Sequence, residues 1–345
     1  MSNAITRASG DGQARVLRRV QISSLAIAVP SRVLTNSDLE KMVDTSDEWI
    51  LKRTGIRERH IAGAGVATSD LAAEAARSAI GQARLTPSDI EFLVVGTITP
   101  DMCFPSTACL VQDKIGAGAA WGFDLGVACC GFTYALTTAV QMVATGAHEH
   151  ALAIGADVMS RIIDYEDRTT CVIFGDGAGA VVVSPAEDPE LGVIDFAHEV
   201  DGSGGQALWM PAGGSRLPAS HETVDQRLHY VHQEGAAVFK FAVRKTAEIS
   251  RRILERAGLR ADDVDLFVSH QANRRIITAA ADQLGLAEEK VVINIDRYGN
   301  TTGATIPLAL ADALADGRLK KGNLVLLASV GAGFTVGAVL LRWAY

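Results

Sequence analysis

The chain has 345 residues, 48% hydrophobic and 21% charged, with a formal net charge of −8. That length and apolar content can bury a large core, as two domains or one duplicated domain. The acidic balance argues against nucleic acid as the main ligand, and no apolar stretch is long and charge-free enough to span a bilayer, so no membrane partner is expected.

Residues 1–19 are polar and Arg-bearing, without an apolar signal core, and are expected to form a loose N-terminal arm outside the fold. Val20 to Ala28 is strand-like. Ser37-Asp38-Leu39-Glu40 reads as a capped helix start, and Ser69 to Ala83 has helical periodicity. Glu91 to Gly96 is a buried strand. Pro105 to Ile115 is helical and Trp121 to Leu125 a strand. A small-residue turn, Gly126 to Phe132, then feeds a helix from Thr133 to Ala144 that ends at Gly146. Ala151 to Gly155 and Ala180 to Val183 are further strands. Short apolar runs between helices predict buried, largely parallel strands and an α/β fold. Asp201 to Gln226, rich in Gly, Pro and Ser, reads as a surface excursion.

The second half repeats the plan. Leu266 to His270 matches Leu93 to Gly96. Val291 to Asn300, with the helix Ile306 to Ala315, matches Phe123 to Cys129 and its helix. Asn323 to Ala328 matches Ala151 to Gly155, and Phe334 to Leu341 matches Gly177 to Val183. The order predicts an internal duplication, with halves 20–186 and 187–345. Cys129 and Asn300 then occupy pseudo-symmetric turns that meet at a central interface.

Three residues at the edges of apolar segments carry candidate chemistry. Cys129 sits at a strand-to-helix turn, where the positive end of a helix dipole is expected to lower its pKa and favour the thiolate. His270 ends a buried strand before Gln271-Ala272-Asn273. Asn300 lies in Tyr298-Gly299-Asn300-Thr301-Thr302-Gly303. An isolated Cys is usually core, an isolated His structural, and an Asn beside Gly a turn residue. The three together favour nucleophile and hydrogen-bond donor roles. Cys130 lies about 100° around the helix from Cys129, so only one faces the site. The five Cys form an odd count without zinc-type spacing, which suits reduced thiols in a cytoplasm and predicts no metal site. Gly175-Asp176-Gly177-Ala178-Gly179 has neither the Lys-Ser/Thr of a phosphate loop nor a dinucleotide fingerprint, so tight backbone packing is expected there.

These segments closely resemble β-ketoacyl-acyl carrier protein synthase III of the thiolase superfamily, from about Val20 to Tyr345. The strongest stretches are Thr45 to Ile50, Arg53 to Arg59, Gly126 to Leu136, Ile173 to Ala180, His270 to Asn273 and Asp296 to Thr301. The resemblance implies a thiolase-like five-layered αβαβα fold of two duplicated halves, a homodimer and a cytoplasmic enzyme. It implies an acyltransferase that moves a primer, with acetyl expected, from acyl-CoA to Cys129. The primer then condenses with malonyl-acyl carrier protein by decarboxylative Claisen chemistry, initiating type II fatty acid synthesis, with no cofactor beyond the coenzyme A thioester. His270 and Asn300 would stabilise the enolate, and the backbone N–H groups of Cys129 and Gly333 would form the oxyanion hole.

The resemblance further points to Trp49, Arg53, Arg168 and Asn273 for coenzyme A. Phe104 would cross the dimer interface to close the partner's acyl pocket, and Lys240, Arg274 and Arg275 would dock an acidic carrier protein. One departure stands out: Ala236-Ala237 follow Gly235 where the family often has a polar residue against the pantetheine arm. The alternatives are a related acyl-CoA condensing enzyme of secondary metabolism and, more remotely, a catalytically silent acyl-carrier binding scaffold.

Overall fold

The computed structural model describes residues 17–345 and the backbone of two short paired segments, Arg7–Ala8 and Ala14–Arg15. The loose arm expected over residues 1–19 lies mostly outside the described residues. Its end is tied down: Arg18 donates to the carbonyls of Val143 (3.0 Å) and His148 (2.7 Å), and Arg19 to that of Leu191 (3.0 Å).

Two mixed sheets organise the chain. The first holds β1 (Val20–Ala28), β2 (Phe92–Gly96), β3 (Trp121–Leu125), β4 (Ala151–Val158) and β5 (Asp176–Pro185), in the order β1-β5-β4-β2-β3. The second holds β6 (Gly192–Val200), β7 (Leu266–Ser269), β8 (Leu324–Gly331) and β9 (Thr335–Arg342), in the order β6-β9-β8-β7. The orders correspond strand for strand, which is the duplication. The counterpart of β3 shrinks to a single parallel bridge between Phe267 and Val291. No strand runs on to Asn300. The Asn294 N–H instead donates to the Gln271 side chain (3.0 Å), and Ile295–Tyr298 closes into one helical turn.

The expectation of largely parallel strands needs correction. Only β2–β3, β2–β4 and β7–β8 are parallel; β4–β5, β1–β5, β8–β9 and β6–β9 are antiparallel. Buried apolar runs do not encode direction. The three-residue turn between β8 and β9 leaves no room for the crossover that a parallel pair requires.

Seven longer helices complete the layers: α1 (Asp47–Thr54), α2 (Thr68–Gln82), α3 (Thr107–Ile115), α4 (Gly131–Ala144), α5 (Gly235–Arg256), α6 (Arg274–Leu284) and α7 (Thr305–Ala315). Phe132, Leu136 and Val140 of α4 and Ile306 and Leu310 of α7 fill the space between the sheets, against Val94, Val181, Val268, Leu327 and Val339. Helices α2 and α3 cover the outer face of the first sheet, and α5 and α6 that of the second. The result is five layers, αβαβα. A central helix has no wet face, so α4 is apolar nearly all round, whereas α5 leaves one side polar.

The halves meet without side chains between them at one point. A Cβ on Gly155 would stand 2.1 Å from the Gly303 carbonyl oxygen. The Gly175–Gly179 motif packs as expected, since a Cβ on Gly179 would stand 2.4 Å from Pro307. The link from Pro185 to Gly192 joins the halves. The excursion at Asp201 to Gln226 is mainly exposed, but Leu208–Trp209 pairs with His232–Gln233 and brings Leu208 to the cavity described next.

Candidate active site

The Cys129 turn joins β3 to α4. Ala128 adopts φ +47 and opens a 3-10 turn, Ala128–Cys130, that runs straight into the helix. The same device recurs in the other half, where Thr302, also at φ +47, opens Thr302–Ala304 ahead of α7. Cys129 therefore corresponds to Gly303, and Asn300 stands three residues before its symmetric position. Cys129 lines a cavity of about 520 Å³. Cys130 points away from it, fully buried, with its sulfur held by Ser329 and Thr335.

His270 follows β7, and its N–H donates to the Ala328 carbonyl (2.8 Å). Its Nδ1 lies 2.7 Å from the Thr305 hydroxyl, and its other ring nitrogen has no protein partner among the described residues. Asn300 is fixed through its backbone by Ile173 (2.9 Å) and Gly175 (3.1 Å), and its Oδ1 accepts the Thr302 N–H (2.9 Å). The Asn300 amide NH₂ is left without a protein partner among the described residues. Cys129, His270 and Asn300 all line this cavity.

Burial sets the charge state. It pushes the Cys129 thiol well above its ordinary range, and Cys130 and Asp157 add to the shift. This overturns the expectation of a resting thiolate. A helix terminus contributes about 0.3–1 kcal/mol, whereas full desolvation disfavours the charged form by about 4–7 kcal/mol. Burial also pushes His270 down to about 3, so its imidazole is neutral. The resting site holds a thiol and an uncharged ring.

The cavity opens past α1. Ser46 caps that helix through the Trp49 N–H, and two guanidinium groups lie near the Trp49 ring, Arg53 at 5.7 Å and Arg168 at 5.3 Å from its centroid. Arg168 is steadied by the Asp44 carbonyl (2.9 Å). Lys52, Arg53 and Arg275 join Trp49 around an adjoining recess. Asn273 lines the cavity but spends its amide largely on protein: Nδ2 donates to the Arg53 carbonyl (2.9 Å), and Oδ1 accepts the Arg275 N–H at the start of α6 (2.9 Å). Gly333 lies between the wall residues Gly331 and Phe334 without lining the cavity itself. Among the described residues, no group of three or more His, Cys, Asp or Glu side chains is arranged to hold a metal ion.

Two family models match the chain: 3-oxoacyl-[acyl-carrier-protein (ACP)] synthase III over residues 123–202, and its C-terminal counterpart over 254–343. A β-ketoacyl-[acyl-carrier-protein] synthase III of Solibacter usitatus is 60% identical over 329 residues, covering 95% of this chain and 99% of the relative. The chain belongs to the β-ketoacyl-acyl carrier protein synthase III family. A relative of the same name from Koribacter versatilis is 57% identical, covering 95% and 99%. The crystal structure of 3-oxoacyl-[acyl-carrier-protein] synthase III from Aquifex aeolicus superposes with a TM-score of 0.87 at 43% identity, covering 94% of this chain and all of that one. The layered architecture is thus the thiolase fold of the synthase III family.

The remaining sites expected of a synthase III are distributed as follows. Lys240 and Arg274 are exposed away from the cavity wall, while Arg275 stands at its mouth with its guanidinium over Phe239. Phe104 is 85% exposed. Gly235 and Ala236 line the cavity, so a methyl group meets it where a polar contact is usual in the family. Sequence reasoning missed Lys52 and Phe239 at the mouth. It also missed Asp157, Thr302 and Thr305 behind the site, because a buried polar network leaves no periodicity to read.

Proposed function

We propose that this enzyme condenses an acyl-CoA primer with malonyl-acyl carrier protein and so starts fatty acid synthesis, with Cys129 as the nucleophile. The observation that carries this reading is the convergence of Cys129, His270 and Asn300 on one cavity, each with an uncommitted atom. Acyl transfer is proton-neutral: the Cys129 sulfur takes the acyl group, and its proton leaves on the coenzyme A thiol. A resting thiol is compatible with that exchange. Loss of carbon dioxide from the malonyl group then leaves an enolate. The His270 ring N–H and the Asn300 NH₂ would hold its oxygen, and neither needs a charge change to donate. The enolate carbon attacks the acyl-Cys carbonyl. The resulting oxyanion would be met by the backbone N–H groups of Cys129 and Gly333; its collapse expels the Cys129 sulfur as a thiolate, which takes up one proton from water to restore the resting thiol.

Trp49 offers an aromatic face to adenine, and Arg53 and Arg168 offer charge to the phosphates of coenzyme A. Arg275, Lys240 and Arg274 are our candidates for contact with the acidic carrier protein. Asn273 acts mainly by capping α6 and anchoring α1, with one amide hydrogen left for the pantetheine arm. We read the working form as a homodimer, because exposed Phe104 lies beside the start of α3, which is tied to β3, a sheet edge with half-exposed Trp121. The five free cysteines suit a reducing, cytoplasmic setting. Acetyl is the expected primer.

Intact-mass measurement after incubation with acetyl-CoA tests the reading. One acyl group should appear, be absent in Cys129→Ala and persist in Cys130→Ala, and malonyl-acyl carrier protein should discharge it. Acylation that survives in Cys129→Ala would sink the assignment.

A further inference from the structure

Two of the three groups facing the cavity are tied at their far ends to one buried network. Its centre is Asp157 at the end of β4, wholly buried, with six donors on its two oxygens. Oδ1 accepts from the N–H groups of Ile98 (2.9 Å) and Thr99 (3.2 Å) and the hydroxyls of Thr97 (3.0 Å) and Thr99 (2.9 Å). Oδ2 accepts from the Gly303 N–H (3.1 Å) and the Thr302 hydroxyl. Thr302 is thereby held at a positive φ that β-branched residues rarely adopt. From there its N–H reaches Asn300 Oδ1, and its carbonyl accepts the Thr305 N–H. The Thr305 hydroxyl in turn meets His270 Nδ1.

We propose that Thr302 and Thr305, anchored by Asp157, are positioning residues that decide which end of the Asn300 amide and which tautomer of His270 face the cavity. The role in catalysis rests on the decarboxylative reading above. Only a carbonyl oxygen can accept the Thr302 N–H, so the Asn300 NH₂ is turned to the cavity. The Thr305 hydroxyl has one proton and two acceptors. His270 Nδ1 lies at 2.7 Å; the Thr302 carbonyl lies at 3.2 Å and already holds the Thr305 N–H. The shorter contact takes the proton, because the Thr302 carbonyl lies farther off and is already shared with the Thr305 N–H. His270 then carries its own proton on Nε2, as a donor toward the cavity. The opposite tautomer would aim a lone pair at a developing enolate and repel it.

The test combines ¹⁵N spectra of His270 with separate assays of the two half-reactions. Wild type and Thr305→Ser should show a protonated Nε2 and a bare Nδ1; Thr305→Val, which keeps the shape but loses the hydroxyl, should show mixed tautomers. Malonyl decarboxylation should fall ~10²-fold in Thr305→Val, the cost of one misdirected oxyanion donor, and recover to within a few-fold in Thr305→Ser. Acyl transfer to Cys129 should persist in both, which also reports an intact fold. A wild-type spectrum with the proton on Nδ1 overturns the proposal without any variant, as does equal decarboxylation in wild type and Thr305→Val. Failure of the wild type to accept an acyl group would instead overturn the functional reading, and the nitrogen spectrum would still decide the tautomer.

Discussion

Replacing Gly155 by Ala should damage the seam between the halves and, through it, one half-reaction more than the other. The added methyl would lie 2.1 Å from the Gly303 oxygen, 2.8 Å from its carbonyl carbon and 3.1 Å from the Phe132 Cβ. An ordinary carbon–oxygen contact is about 3.3 Å, so β4 and the Thr302–Ala304 turn must part by about 1 Å. Overpacking of this kind costs about 1–3 kcal/mol, and stretching the Gly303 N–H bond to Asp157 adds about 1 kcal/mol. At roughly 2 °C per kcal/mol for a chain of this size, melting should drop by about 4–8 °C. The displaced turn carries Thr302, and a misplacement of about 1 Å can cost ~10²-fold in rate, so decarboxylation should fall further than acyl transfer. Gly177→Ala is the control, because its methyl would meet Leu308 at an ordinary 3.4 Å. Calorimetry of both variants, with the half-reactions assayed separately, decides the matter. Equal melting points and unchanged decarboxylation in Gly155→Ala would refute the reasoning.

Because His270 is pushed down to about 3, the decarboxylation rate should show no inflection near pH 6.5, and a pH series from about 5.5 to 8 checks this. The same shift, with His198 pushed down to about 4 by burial, means that at these two histidines the unfolded chain binds more protons than the folded one below about pH 6.5, an excess that the buried Asp157 and Asp176 carboxyls, both pushed up, partly offset. Stability should therefore be full above that pH and decline as pH falls toward 4, read as a falling urea midpoint. Trp49→Ala should raise the KM for acyl-CoA about two- to fivefold, at about 0.5–1 kcal/mol for the lost aromatic contact, with little change in kcat. Phe104→Asp should shift the sedimentation coefficient from dimer to monomer while leaving the melting of the single chain nearly unchanged.

The three side chains that converge on the cavity are legible in the sequence because each ends an apolar run at a small-residue turn. A strand ending in Ser269-His270, or a Gly on either side of an Asn-Thr-Thr segment, is a visible break in pattern. The duplication is legible for the same reason, since both halves repeat the order of their runs. Strand direction is not, because Val181 or Leu327 is equally apolar either way along a buried sheet. The charge state of Cys129 escapes a sequence reading because the helix terminus is a local signal, whereas desolvation depends on the Thr302–Ala304 turn and β8, more than 170 residues away. Asp157 looks like the polar end of a strand; its importance lies in partners at 97–99 and 302–303 that no local window contains.

The duplicated architecture divides the labour unequally. The sulfur belongs to the first half of the chain, and both side-chain donors belong to the second. Neither half by itself holds a complete set of tools. Were the polypeptide cut in the link between Pro185 and Gly192 and the two pieces supplied separately, turnover would return only when they reunited, making carbon–carbon bond formation a direct gauge of their reassembly.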